Sequence, residues 1–173
     1  MSLRPSIEEL RALGMHASYY NWGISFVSLP SAVSGFTSSD LNTRAISIAP
    51  PTRTQDASEI SLRGHKAYQH GIMNYDGPLE LVLHETVDSK VTTFLENWMN
   101  VQWTPISGTQ IPKSLNQAVL LLTLLDSEDK ARKYYTIMGA WPTHFDHGGN
   151  YGADNSQTVQ VNLQLRYDYY ITV

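Results

Sequence analysis

The chain has 173 residues, 42% of them hydrophobic and 16% charged, with a formal net charge of −4 and no cysteine. That length and composition describe one folded domain with a full core and argue against disorder. The missing cysteines exclude disulfides, thiolate metal sites and Cys nucleophiles, and the net negative charge gives no general attraction to nucleic acid or anionic membranes.

The opening residues, Met1 to Pro5, lead into a polar segment, so no signal peptide is expected. Ser6-Ile7-Glu8-Glu9 forms a capping box that starts a short helix, which Gly14 can end. Tyr19 to Leu29 is rich in aromatic and β-branched residues and predicts a strand stopped by Pro30. Ser31 to Asp40 has loop composition, and Ala45 to Ile48 is a short strand ended by Pro50-Pro51. A polar loop, Thr52 to Ser58, follows. Glu59 to Leu62 and His65 to Gln69 then flank Arg63-Gly64, a bend or bulge in one long hairpin arm. Asn74 to Pro78 is a turn, and Leu79 to His84 alternates as a strand.

Asp88 or Ser89 is expected to cap the main helix, whose apolar stripe is Val91, Phe94, Leu95, Trp98 and Met99. Gln102 to Leu115, with Pro105, Gly108 and Pro112, has the composition of a loop. Ala118 to Leu125 is too short to span a bilayer and is apolar almost without alternation, as in a strand covered on both faces. After a charged turn, Asp126 to Ala131, the segment Arg132 to Trp141 returns as its hairpin partner. Gly139-Ala140-Trp141-Pro142 closes that strand, with Trp141 a core anchor, and a glycine-rich loop leads to the closing strand, Gln157 to Tyr170. There Val159, Val161, Leu163, Leu165, Tyr167 and Tyr169 share one face, while Thr158, Gln160, Asn162, Gln164, Arg166 and Asp168 share the other. Roughly seven strands in hairpin order, one packing helix and an N-terminal helix make an antiparallel, mainly β member of the α+β class.

Little in this pattern carries chemistry. His144, Asp146 and His147 suit a divalent ion, which would make a small metal-dependent hydrolase. They lack helical i, i+4 spacing and a further ligand, so a solvated polar loop is the plainer reading and no metal, cofactor or catalytic residue is assigned. His65, His70 and His84 lie in or beside strands, where a structural role is expected. Arg53, Arg63, His65, Lys66 and Tyr68 gather on the hairpin arm, whose expected use is contact with another subunit.

The stretches Tyr135–Thr143 and Val159–Tyr169, joined by a Gly/Asp/Asn-rich loop, resemble the C-terminal half of the tail tube proteins of contractile-tailed bacteriophages. The short N-terminal helix, the strand closing at Leu29-Pro30, the arm, the strand from Leu79 and the helix after Ser89 follow that family's order. Thr109 to Asn116 and Tyr170 to Val173 depart from it. The resemblance implies a single domain, residues 1–173, with an N-terminal helix and arm (1–17), a protruding hairpin arm (45–78), a packing helix (88–103) and a C-terminal hairpin with closing strand (117–173). It implies two antiparallel sheets in a β-barrel-like sandwich beside the helix, with six copies per ring and rings stacked into a hollow tube. The polar residues Thr158, Gln160, Asn162 and Gln164 would form a lumen or wet face, and Tyr167, Asp168 and Tyr169 would join the arm residues at interfaces. The implied partners are sheath, baseplate and terminator proteins, with double-stranded DNA passing unbound and no membrane. The implied setting is a virion tail assembled in the host cytoplasm. Tube-initiating baseplate proteins and the inner tubes of secretion or injection systems are the related alternatives.

Overall fold

The computed structural model describes residues 20–31, 33, 35–147 and 158–173. The expected helix at Ser6 to Gly14 and the glycine-rich loop, 148–157, lie outside those residues. In chain order the elements are β1 (Trp22–Ser28), α1 (Ser38–Arg44), β2 (Ala45–Ile48), β3 (Thr54–Leu62), β4 (His65–Asn74), β5 (Leu79–His84) and α2 (Lys90–Gln102). Two short strands follow, β6 (Trp103–Thr104) and β7 (Thr109–Gln110), with a 3-10 turn at Lys113–Leu115. β8 (Ala118–Leu125), β9 (Ala131–His147), β10 (Gln160–Arg166) and β11 (Tyr169–Thr172) complete the chain.

All strand pairs are antiparallel, in the order β1-β8-β9-β10-β5-β2, with β11 also on β9. The 17-residue β9 belongs to two sheets. Its first part pairs with β8 and β11, and its last part, from Trp141 onward, pairs with β10. One sheet is therefore β1-β8-β9-β11 and the other β9-β10-β5-β2. The bend between them falls at Gly139, whose φ of 68° suits glycine. Asp168 lies across this bend, so a Cβ on Gly139 would sit 2.2 Å from Asp168 Oδ2. Gly139 to Pro142 is thus a bend inside a continuous strand, and the strand runs on through the predicted polar loop to His147.

The sheets do not close into a barrel, which corrects the barrel-like expectation. β1 and β2 are unpaired with each other, and α1 stands at the seam. Its sequence explains why it forms there: Thr37 Oγ1 accepts from Asp40 N at 3.2 Å, and Asp40 accepts in return from Thr37 N at 3.0 Å. The loop predicted for Ser31 to Asp40 therefore ends at a capping box. Ser38 Oγ both accepts from Phe26 N and donates to Phe26 O, and Asn42 Oδ1 accepts from Ile24 N at 2.9 Å. These side chains satisfy backbone groups on the outer edge of β1, which would otherwise invite strand pairing.

One core joins the inner faces of both sheets with α1 and α2. Ile24, Leu81, Leu83, Leu120, Ile137, Val161, Leu163 and Leu165 are all buried in it. From α2 come Val91, Phe94, Leu95 and Trp98, as the helical stripe predicts. The Trp98 indole donates to Asn116 O at 3.0 Å and sits 5.6 Å from the Phe94 ring and 6.2 Å from Phe26. Trp98, not Trp141, is the buried tryptophan anchor. Ser89 occupies the N-cap with φ 50° and makes no side-chain cap bond. Glu85, at the end of β5, does that work. Its carboxylate accepts from Val91 N at 3.1 Å, Thr92 N at 2.7 Å and Thr92 Oγ1 at 2.6 Å. Partial burial pushes this carboxyl up, but the donors from Thr92, Thr86 and Val91 outweigh it and hold it below the ordinary range. In β8, Leu120 and Leu122 face the core while Leu121 and Thr123 are half-exposed, so the strand is fully covered on one face rather than two.

Candidate assembly surfaces

β3 and β4 pair only with each other and form the arm. Its strands run longer than the predicted Glu59–Leu62 and His65–Gln69, because β3 starts at Thr54, inside the predicted polar loop, while β2, within the range 45–78 expected for the arm, pairs with β5 instead. Arg63 and Gly64 form its two-residue tip, with φ of 47° and 85°, the left-handed values of a type I′ hairpin turn. They end the arm rather than bend it. A bulge between Gln55 and Ala57 brings Asp56 against Gly71, where a Cβ would lie 2.7 Å from Asp56 O. Cross-strand register places Ile60, Leu62 and Ala67 on one face of the arm. The other face carries Glu59, Lys66 and Tyr68 and, past the bulge, Met73, which pairs with Gln55. Lys66 pairs with Glu59 at 2.8 Å, and this contact, with Ser61, holds the Glu59 carboxyl below its usual range. Leu62 and Ile72 are 71% and 73% exposed, so the arm carries apolar side chains that its own domain does not cover.

An aromatic corner fixes the root of the arm. Tyr170 meets Tyr75, Tyr135 and Tyr167 edge-on at 5.5, 5.9 and 6.4 Å, and the Arg53 guanidinium lies 5.9 Å from the Tyr170 ring centre. The Tyr167 hydroxyl accepts from Thr52 N and donates to Thr52 O, both at 3.0 Å. Burial pushes its ionisation up. The residues singled out at the end of the chain separate here. Tyr167 is 6% exposed and points inward, whereas Tyr169 is 42% exposed and points outward. The alternation slips because the chain leaves β10 at Arg166 and enters the other sheet at Tyr169, so Tyr170 takes the inward place. Asp168 sits between, with its backbone N–H on Met138 O at 3.0 Å and its carboxylate on the Lys113 ammonium.

The outward face of β9-β10-β5 is polar. Gln160, Asn162 and Gln164 stand in register with His84, Val82 and Glu80 on β5, and the last two with Asp146 and His144 on β9. Asn162 donates to Asp146 at 2.9 Å, and Thr158 Oγ1 lies 3.5 Å from His84 Nδ1. His144 and Asp146 are 3.4 Å apart on this exposed face. Among the described residues, no group of three His, Asp or Glu side chains is placed to hold a metal ion. The outward face of the other sheet is apolar by contrast, with Val27, Leu121, Tyr169 and Ile171 uncovered or half-covered. At the unclosed seam, Tyr20, Trp22, Asn42, Ala45 and Ile46 line a groove of about 380 Å³.

Sequence reasoning located the arm and the polar face. It missed Glu85, Ser38 and Asn42, although Thr37-Ser38-Ser39-Asp40 carries a readable cap signal.

A chain of the cryo-EM structure of the anti-feeding prophage baseplate, 6-fold symmetrised, is 18% identical over 92% of this chain and 97% of its own, with a TM-score of 0.61. A chain of an extracellular contractile injection system, the PVC sheath–tube complex in the extended state, is 14% identical over 98% and 99%, with a TM-score of 0.60. A chain of the PVC sheath/tube terminator is 12% identical over 93% and 99%, with a TM-score of 0.62. The fold is similar to that of contractile injection system components. The likeness spans nearly the whole length of each of these chains. No protein-family model and no curated protein matches the sequence.

Proposed function

We propose that this chain is a structural tube subunit of a contractile, phage-tail-like particle, and that it works by assembly rather than catalysis. The observation that carries this reading is the near end-to-end likeness to chains of a sheath–tube complex and a 6-fold symmetrised baseplate. The surfaces fit the role. The sheet β9-β10-β5-β2 ends in two edges, β2 and the last part of β9, that do not pair with each other. Edges at opposite ends of one sheet make a head-to-tail contact, which closes into a ring if the rotation allows. Six copies contributing four strands each, at ~4.8 Å spacing and ~40° tilt, give a wall roughly 45–50 Å across.

In that ring the polar face with Thr158, Gln160, Asn162 and Gln164 lines the bore. Its neutral and weakly acidic character lets DNA or another cargo slide, because few cations are present to hold phosphates. The arm, with Arg53, Arg63, His65, Lys66 and Tyr68, reaches a neighbouring copy, and the corner at Tyr167, Asp168 and Tyr169 sets its angle. Sheath, baseplate and terminator proteins are the further partners.

The test is negative-stain imaging and light scattering of the purified chain. Rings of six times the 19.4 kDa monomer mass, stacking into tubes, are expected. A species that stays monomeric at high concentration overturns the proposal. The likeness to the sheath/tube terminator chain favours a second reading, a ring placed at one end of a tube. Single rings that never stack would select it.

A further inference from the structure

One lysine of this chain is placed unlike the others. Lys66, Lys90, Lys113 and Lys130 each pair with a carboxylate. Lys133, in the first part of β9, pairs with none among the described residues and lies 4.9 Å from the centre of the Tyr135 ring. Arg53 is held in the same way over Tyr170, and it too makes no ion pair or hydrogen bond among the described residues. The two rings are neighbours, since Tyr135 and Tyr170 meet at 5.9 Å, and Tyr75 joins Tyr170 at 5.5 Å. A row therefore runs Lys133, Tyr135, Tyr170, Arg53, with Tyr75 beside it. It sits at the root of the arm, on the side of β9 that carries Ile137 into the core two residues after Tyr135.

Lys133 and Arg53 are exposed, and the three tyrosines are half-exposed. The hydroxyls of Tyr75, Tyr135 and Tyr170 make no hydrogen bond among the described residues, and none of them is a buried unpaired atom, so each opens to solvent. The row is rich in donors and contains no carboxylate. Asp76 follows Tyr75 in the chain, and Arg166, which donates to Asp76 O, offsets its charge.

We propose that this row binds an acidic segment of a partner polypeptide. Two cations on separate elements, with hydroxyls between them, match a string of carboxylates better than one small anion. Each cation is positioned by a ring, so no ion pair has to break before it can bind. Nucleic acid fits less well. A base needs a free ring face to stack on, and Lys133 and Arg53 occupy faces of Tyr135 and Tyr170. The net charge of −4 also repels a duplex. The row is complete within one copy of the chain and does not rest on the tube reading.

The test is fluorescence anisotropy of a labelled hexaglutamate peptide titrated with the full chain. Saturable binding is expected at low salt, weakening as salt rises from about 50 to about 300 mM. Arg53→Gln and Lys133→Gln should each lose about threefold, the effect of one exposed ion pair, and the double variant about tenfold. Tyr135→Phe, which removes only a hydroxyl, should lose less. Arg132→Gln is the control and should bind as wild type, because Arg132 is held by Asp126 at 2.8 Å. The substituted cations are all exposed, so the variants should fold as wild type does. Absence of saturable binding overturns the proposal, as does an equal loss in Arg132→Gln. Tighter binding of an oligothymidylate of the same charge also overturns it and assigns the row to nucleic acid.

Discussion

Replacing Glu85 by Ala tests the claim that α2 is capped from the end of β5 rather than by its own N-cap residue. The substitution removes the acceptor for Thr86 N, Val91 N, Thr92 N and Thr92 Oγ1 together. Val91 and Thr92 are buried, so water cannot fully replace the carboxylate there. Loss of a cap costs ~0.5–2 kcal/mol and a stranded buried donor ~1–3 kcal/mol, so a total near ~3 kcal/mol is expected. In a chain of this size that lowers Tm by roughly 6–12 °C. Urea unfolding should show a lower midpoint with an unchanged slope. Glu85→Gln keeps one acceptor oxygen and should lose about half as much. Ser89→Gly should be neutral or stabilise by up to ~1 kcal/mol, since Ser89 makes no cap bond and sits in a left-handed conformation. The pH dependence has a fixed sign. The folded Glu85 carboxyl is depressed, so its contribution is complete above the ordinary Glu value of ~4.3 and disappears as pH falls through the lower folded value. The gap between wild type and Glu85→Gln should therefore narrow below about pH 4.3. A Glu85→Ala variant within ~0.5 kcal/mol of wild type would refute the argument, as would a Ser89→Gly loss above ~1 kcal/mol.

Three other outcomes follow from the packing. Trp98→Ala should cost ~3–5 kcal/mol in chemical unfolding, whereas Trp141→Ala should cost less than ~1.5 kcal/mol, because only Trp98 is fully enclosed. Tyr167→Phe keeps the ring contacts but strands both Thr52 backbone groups, and should lose ~1–2 kcal/mol with faster amide exchange at the arm root. Gly64→Val should disrupt the type I′ tip and impair assembly in light scattering while leaving Tm within about 2 °C, since the arm packs outside the core.

Much of the fold is visible in the sequence where one period governs a whole element. The α2 stripe and the Leu79–His84 alternation are clear for that reason, as is the run Val161 to Leu165. The pattern fails where an element changes partner. From Tyr167 onward the chain enters a different sheet, and from Gly139 to His147 a strand continues past a bend that has turn composition. The arm is hard to delimit because neither face is buried, so polar and apolar residues alternate without a core to order them. The Glu85 cap is invisible because its donors lie six and seven residues ahead, joined only once β5 and α2 have packed. Of the candidate surfaces, the polar face can be read directly, but a pocket beside Trp141 cannot, since its walls come from four separate segments.

Because β9 is a member of both sheets, neither sheet can be lost while the other stays intact. Pulling Ala131–Ala140 away from β8 draws on the same chain that holds β10 through Trp141–His147. Native-state hydrogen exchange should accordingly show β8, β9, β10 and β5 opening together with one free energy, while β3 and β4 open at far lower cost. A domain built in this way is a firm block carrying a pliant lever, and mechanical load applied through the lever would reach both sheets at once.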